Sequence, residues 1–177
     1  WAIYPSRQVT DMRPFQHTNA RTLAQAGTLL ADWDRRAAPI AGGTDLLGAL
    51  KDDIYATAPD LLVNLKTIPG LASIESGIDG LRIGALTKLH AVEVHATIRE
   101  TYPILAEAAR AVASPQIRRM GTVGGNLCQE PRCWYYRGAE NSFDCTRKGG
   151  QVCNALTGEN RYHSIFGAVN GCVAVSP

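Results

Sequence analysis

Two glycine-bearing stretches and a run of cysteines are the parts of this sequence whose residue types could do chemistry. The first stretch, "PIAGGTDL" (Pro39, Ile40, Ala41, Gly42, Gly43, Thr44, Asp45, Leu46), follows an apolar segment and precedes a helix-like one. Glycines there let backbone N–H groups close on an anion with no Cβ in the way, and a hydroxyl such as that of Thr44 can donate to a phosphate oxygen. The second, "GTVGGN" at 121–126, has the same character, with Thr122, Val123, Gly124, Gly125 and Asn126. Neither is the G-x-G-x-x-G fingerprint or a Walker loop. Taken singly, each reads as an ordinary turn, the first between strand and helix, the second a strand entry or bulge. Together they suit a diphosphate, which is long enough to need contact from two sides.

Five cysteines, Cys128, Cys133, Cys145, Cys153 and Cys172, all lie in the last 50 residues. An odd count gathered in one segment argues against a disulfide framework and for four thiolates around a metal with one left over. Cys133, Cys145, Cys153 and Cys172 are 12, 8 and 19 positions apart. That is neither a C-x2-C zinc knuckle nor a dense ferredoxin run, so iron–sulfur, zinc and unligated or disulfide thiols all stay open. Arg132, Arg137, Arg147 and Lys148 lie close in sequence and would favour thiolate over thiol. Cys128 is expected to be a small buried residue. His163 is expected to hydrogen-bond within the loop rather than ligate. Trp134, Tyr135 and Tyr136 are expected to pack. Asp45 and Glu159 belong to no carboxylate pair or Ser/His/Asp pattern that would support acid–base catalysis.

The elements that must position these residues follow from periodicity. "TLAQAGTLLADW" (22–33) has apolar residues at helical spacing, with Thr22 as N-cap. "AAPIAGGTDLLGAL" reads as strand, glycine turn and helix, and "DLLVNL" as another strand. This alternation suggests a small lobe with parallel strands. "LASIES" and "GLRIGAL" read as two strands joined by "GIDG". Residues 87–114 read as helical twice over, broken at Pro103, and "PQIRRMGTVGGNL" as leading through glycines into a strand. Residues 129–172 have no clean period, which suits a loop organised by a ligand, and "CVAVSP" reads as a closing strand.

The 177 residues, 45% hydrophobic and 19% charged, describe a globular chain. A net charge of +2 with no basic stripe gives no case for nucleic acid. The apolar runs are too short to span a membrane, and the N-terminus lacks the pattern of a secretory signal. Residues 1–11 read as an extension. The cytoplasm is the expected compartment, with the periplasm, by co-export with a signal-bearing partner, as the alternative.

Five segments, "MRPFQHTNARTLAQAGTLL", "PIAGGTDLL", "LVNLKTIPGL", "LRIGALTKLHAVE" and "SPQIRRMGTVGGNLCQ", resemble in order and spacing the FAD-binding (medium) subunit of the molybdenum hydroxylases, the xanthine dehydrogenase family. The resemblance implies an α+β flavin fold of the p-cresol methylhydroxylase/vanillyl-alcohol oxidase (PCMH/VAO) type. A small α/β lobe (12–66) would precede a larger α+β lobe (67–177), with FAD between. By motif match, Pro39 to Leu46 would wrap the diphosphate from one lobe and Thr122 to Asn126 from the other. No covalent flavin is implied, because neither glycine loop holds His or Cys. The insertion at 129–172, with "RCWYYR", "CTRKGG" and "RYHSIFG", resembles that of the subset with an extra 4Fe-4S cluster. That subset includes 4-hydroxybenzoyl-CoA reductase and the periplasmic aldehyde oxidoreductases. In it the ligands match Cys133, Cys145, Cys153 and Cys172.

The resemblance further implies a heterotrimer: a large molybdenum-cofactor subunit, a small subunit with two 2Fe-2S clusters, and this chain collecting electrons on FAD for an outside acceptor. Family members continue past "VSP" into a Ser-Asp pair and a further α+β domain. The sequence therefore reads as truncated, with FAD binding weakened and no independent activity expected. The competing reading is a non-catalytic zinc-thiolate binding or interaction module with purely structural glycine turns.

Overall fold

The structure, a computed structural model, describes residues 12–32, 36–168 and 170–175. The proposed extension at 1–11 and Trp33 lie outside the described residues. A three-stranded parallel sheet comes first, in order β1-β3-β2, built from β1 (Gln16–Asn19), β2 (Ala37–Ile40) and β3 (Leu61–Asn64). The strand β1 was not legible in the sequence, because "QHTN" carries no apolar alternation. Its register nonetheless runs Gln16 opposite Leu61 through Asn19 opposite Asn64, and the Asn64 side-chain amide donates to Asn19 Oδ1 at 2.7 Å.

All four residues of β3 are buried, as expected of a central strand covered on both faces. Leu61 and Val63 pack with Ala26 and the partly buried Leu29 and Leu30 of α1 (Leu23–Asp32). Leu62 packs on the other face with Ile40 and with Leu50 of α2 (Leu46–Lys51). Thr22 caps α1 as expected: its Oγ1 accepts the Gln25 N–H at 3.1 Å, and Gln25 reaches back to the Arg21 N–H at 2.7 Å.

The antiparallel pair β4 (Ile74–Gly77) and β5 (Gly80–Ile83) follows, turning at Gly80 with φ 108°. The helical stretch is three helices rather than two: α3 (Leu89–Val94), α4 (Ala96–Thr101) and α5 (Pro103–Ala111). Pro103 opens α5, where its missing N–H costs nothing. Val92, Ile98, Ala106 and Ala109 form their core against Ile74, Leu81 and Ile83.

The second glycine stretch does not lead into a strand. Ser114 caps α6 (Pro115–Met120), and Thr122 caps α7 (Val123–Leu127) by accepting the Gly125 N–H at 3.1 Å. A side-chain cap overrides a strand reading because it satisfies a helix donor that would otherwise have no partner. Among the described residues, 129–172 hold 3-10 turns at Ala139–Asn141, Thr146–Lys148 and Asn154–Leu156 and an isolated bridge between Cys145 and Val152, and no strand forms at Cys172–Val175. Glu140, Asn141 and Asp144 take left-handed backbone here, with φ 50°, 55° and 49°. The architecture is α+β. Among the described residues no helix is long and apolar enough to cross a membrane.

Candidate cofactor cleft

The two glycine stretches, distant in sequence, meet in space. They line one cleft of about 470 Å3, walled by Pro39, Ala41, Gly42, Gly43, Thr44, Asp45 and Leu46 on one side and Thr122, Gly124 and Gly125 on the other. Ile40, Val123 and Asn126 stand behind this surface. Ile40 is buried with Leu50 and Leu62, Val123 packs on the α3–α5 core, and Asn126 Oδ1 accepts from the Gln129 amide at 3.2 Å. The loops touch at Gly42, where a Cβ would fall on the Met120 carbonyl.

They differ in what they offer an anion. In the second loop the N–H groups are already used: Val123 donates to Thr87 O (2.9 Å), Gly124 to Ala85 O (2.8 Å), Gly125 to Thr122 Oγ1 (3.1 Å) and Asn126 to Thr122 O (2.8 Å). Its glycines serve close approach, a Cβ on Gly124 lying 3.0 Å from Ala85 O. In the first loop the N–H groups of Gly42, Gly43, Thr44 and Asp45 donate to no acceptor among the described residues. Gly43 holds the left-handed φ of 75° that turns this stretch into α2. The two loops are thus unlike, one donor loop facing one shaped wall.

Sequence reasoning missed two lysines at the seam. Lys66 Nζ donates to Ala41 O at 2.9 Å and Lys88 Nζ to Met120 O at 2.8 Å. Burial, then the neighbouring Lys88 charge, hold the Lys66 ammonium below the ordinary lysine range. Single lysines after β3 and before α3 form no motif, so only the fold reveals the pair.

The cysteine-rich segment supplies the remaining wall through Cys128, Gln129 and Glu130. Cys128, expected buried, is exposed here as the C-cap of α7, on the cleft wall. Asp45 binds this segment. Its Oδ1 accepts from Arg132 Nη1 (2.5 Å) and Arg137 Nη2 (2.9 Å), and its Oδ2 from the Glu130 N–H (2.7 Å). Burial pushes the Asp45 carboxyl up, but the Glu130 N–H and the two guanidinium groups outweigh it and hold it below the usual carboxylate range. The Tyr136 hydroxyl donates to Glu130 Oε2 at 2.5 Å. Burial, then the Glu130 carboxylate, push Tyr136 well above the ordinary phenol range, and burial with the Glu130 and Asp45 charges does the same to Tyr55 on the cleft wall.

The arginines expected to serve the thiols therefore divide. Arg132 and Arg137 go to Asp45, and Arg147 Nη1 approaches Cys172 Sγ at 3.9 Å. Lys148 donates to Gly138 O (2.7 Å) and lies 5.4 Å from the Tyr136 ring centroid. Cys145 is buried and shares a cluster with Cys133, Tyr136, Ala49 and Ile54, while Cys153 and Cys172 are partly exposed. Among the described residues no three His, Cys, Asp or Glu side chains gather into a metal-holding group. As they stand, the four thiols do not form a ligand set. His163 hydrogen-bonds within the loop through its backbone N–H, which donates to Asn160 O at 2.9 Å, but neither ring nitrogen has a partner among the described residues. Of the three aromatics expected to pack, Tyr136 is buried and Tyr135 meets Phe143 edge-on at 5.3 Å, but Trp134 is 72% exposed.

The fold and cleft together define an α+β domain whose glycine-lined cavity suits a phosphate-bearing cofactor. Residues 13–133 match the family described as FAD binding domain in molybdopterin dehydrogenase, and the chain belongs to that family. It is 36% identical to the aldehyde oxidoreductase FAD-binding subunit PaoB of Escherichia coli (strain K12), over 94% of this chain and 51% of that protein. It is 37% identical to the carbon monoxide dehydrogenase medium chain of Afipia carboxidovorans, over 63% of this chain and 38% of that one. Its fold matches a solved carbon monoxide dehydrogenase from Hydrogenophaga pseudoflava with a TM-score of 0.62 and 30% identity, covering 67% of this chain and 40% of that one. The chain thus spans about half the length of PaoB, or less of the others.

Proposed function

We propose that this chain holds FAD in the cleft between its two glycine stretches, as part of an oxidoreductase subunit in a molybdenum hydroxylase-type complex. One observation carries the reading: in a family of FAD-binding domains, four residues of the first loop line a cleft whose opposite wall is the second loop, and their N–H groups donate to no acceptor among the described residues. The residues fit the group. Gly42, Gly43, Thr44 and Asp45 would donate backbone N–H groups to the diphosphate. Thr122, Gly124 and Gly125 would bound it from the other side, close-packed because they carry little or no side chain toward the cleft. Lys66 and Lys88 would offset its negative charge from the seam.

When bound, FAD supplies a site that accepts or releases electrons singly or in pairs, which suits it to join one-electron centres to an outside acceptor. The chain's own residues contribute binding, orientation and exclusion of water. Large molybdenum-cofactor and small 2Fe-2S subunits are the proposed partners. The test is titration of the purified chain with FAD, followed by flavin fluorescence. Saturable quenching supports the reading; its absence at tens of micromolar chain refutes it.

For residues 129–172 we propose a 4Fe-4S loop with Cys133, Cys145, Cys153 and Cys172 as ligands. The resemblance of the segment to the 4Fe-4S subset supports it, as does the shared packing of Cys133 and Cys145. Metal binding commonly gathers ligands that the free chain leaves apart. Iron and labile sulfide in stoichiometric amounts would support this assignment, and zinc alone would favour a zinc-thiolate module.

A further inference from the structure

Asp45 lies where the first glycine loop becomes α2, yet its carboxylate serves the cysteine-rich segment. Both oxygens are taken by Glu130, Arg132 and Arg137 of that segment. Arg137 is itself held by Pro131 O (2.9 Å) and Glu130 O (3.3 Å), so the guanidinium braces the backbone beside Cys133. Four residues along, on the same side of α2, Ala49 packs in the buried cluster with Tyr136, Cys145 and Cys133. The segment therefore sits on α2 through one ionic tie at the loop and one apolar contact a turn later. The Glu140 N–H, bonded to Asp53 O at 2.9 Å, holds its far side independently. The seating also shapes the cleft, because Gln129 and Glu130 are part of its wall.

We propose that Asp45 is a positioning residue that couples occupancy of the cleft to the seating of the cysteine-rich segment. A ligand touching the Gln129–Glu130 wall meets that wall only when the segment is seated. It therefore binds the seated arrangement better and shifts the chain toward it. By reciprocity, seating the segment tightens the ligand by the same factor. The Asp45 carboxylate passes the position of the loop to the backbone around Cys133, and through Glu130 and Tyr136 to the surroundings of Cys145.

The inference rests on the FAD reading, and FAD is the probe. Amide hydrogen exchange is measured with and without saturating FAD in the full chain and in Asp45→Asn, Arg137→Met and the double variant. Two regions are read. Amides of residues 42–45 report contact with the ligand, and amides of residues 133–152 report seating. In the unaltered chain FAD slows exchange in both, by about tenfold in the segment, within the usual range of coupling between sites. In either single variant the segment's response falls to about twofold or less, while the loop stays protected and FAD affinity drops by a comparable factor. The double variant is no worse than Asp45→Asn, because the Arg137 contact is already weakened when the Asp45 carboxylate is lost. Asp45→Glu keeps most of the response. Arg137→Met breaks the tie from outside the loop, so the outcome does not depend on Asp45→Asn folding. If FAD protects neither region in the unaltered chain, the FAD reading falls and this inference with it. If it protects the loop but not the segment, or if segment protection survives in both single variants, the coupling alone is overturned.

Discussion

Asp45 and Arg137, 92 positions apart in sequence, meet at 2.9 Å beside the cleft, with Asp45 Oδ1 accepting from the guanidinium Nη2. The contact ties the first glycine loop to the cysteine-rich segment and is charge-assisted, with Arg132 on the same oxygen. The folded carboxyl is held below its usual value, so the tie contributes fully above the unfolded value of about 3.9. That contribution is lost as pH falls from there through the lower folded value. Asp45→Asn is expected to lower stability at pH 7 by about 1–3 kcal/mol. The gap should narrow as the pH falls from 4 toward 2. Urea denaturation at pH 7, 4 and 3 checks this; a gap independent of pH contradicts it.

The two glycine loops should respond differently to bulk. A Cβ on Gly42 strikes the Met120 carbonyl, a backbone atom that cannot swing aside. Gly42→Ala is expected to lower the melting temperature and abolish FAD binding together. A Cβ on Gly125 meets only Thr122 Oγ1, at 3.0 Å. Gly125→Val is expected to melt within a few degrees of the unaltered chain, yet lose FAD, because its methyls enter the cleft. Thermal melts followed by flavin titration separate these outcomes, and unchanged flavin occupancy in Gly125→Val contradicts the loop assignment.

Lys66 and Lys88 are held near each other at the seam, where burial and then the Lys88 charge disfavour the Lys66 ammonium. A bound diphosphate relieves that repulsion. Lys66→Met and Lys88→Met are each expected to weaken FAD binding by about two- to fivefold, in line with partly screened charge contacts. The loss should be smaller at 0.5 M salt, since exposed charges are screened there. Titrations at two salt concentrations test it; an effect that ignores salt argues for a packing role instead.

Cys145 is the buried thiol of the proposed cluster set and packs beside Cys133. Cys145→Ser is expected to lose iron after anaerobic reconstitution while retaining most FAD binding, because Cys145 does not line the cleft. Iron and sulfide analysis beside flavin content reads both. Iron retained in full removes Cys145 from the ligand set.

Much of the architecture was legible from local rules. Residues 22–33 showed helical periodicity and a capping threonine, and α1 begins at Leu23 with Thr22 as its cap. "DLLVNL" reads as a short strand, and β3 forms there, central and buried throughout. The hairpin was signalled by "GIDG". What failed locally failed for a physical reason. "QHTN" becomes β1 because an existing strand edge offers it hydrogen bonds, not because of its own composition. "TVGGNL" becomes a helix because Thr122 caps it, against the low helix propensity of its glycines.

At the cleft the division is sharper. Residue types alone identified both glycine stretches, since only glycine permits such close approach of backbones. They could not say which loop has N–H groups to spare, because that depends on carbonyls from Ala85 and Thr87 that arrive only with the chain folded. Sequence placed Asp45 in the cofactor loop and Arg132 and Arg137 among the thiols. The tertiary structure brought the three together and so linked the two regions, because a charge near burial is stable only with a partner and the nearest partners lie some 90 residues away.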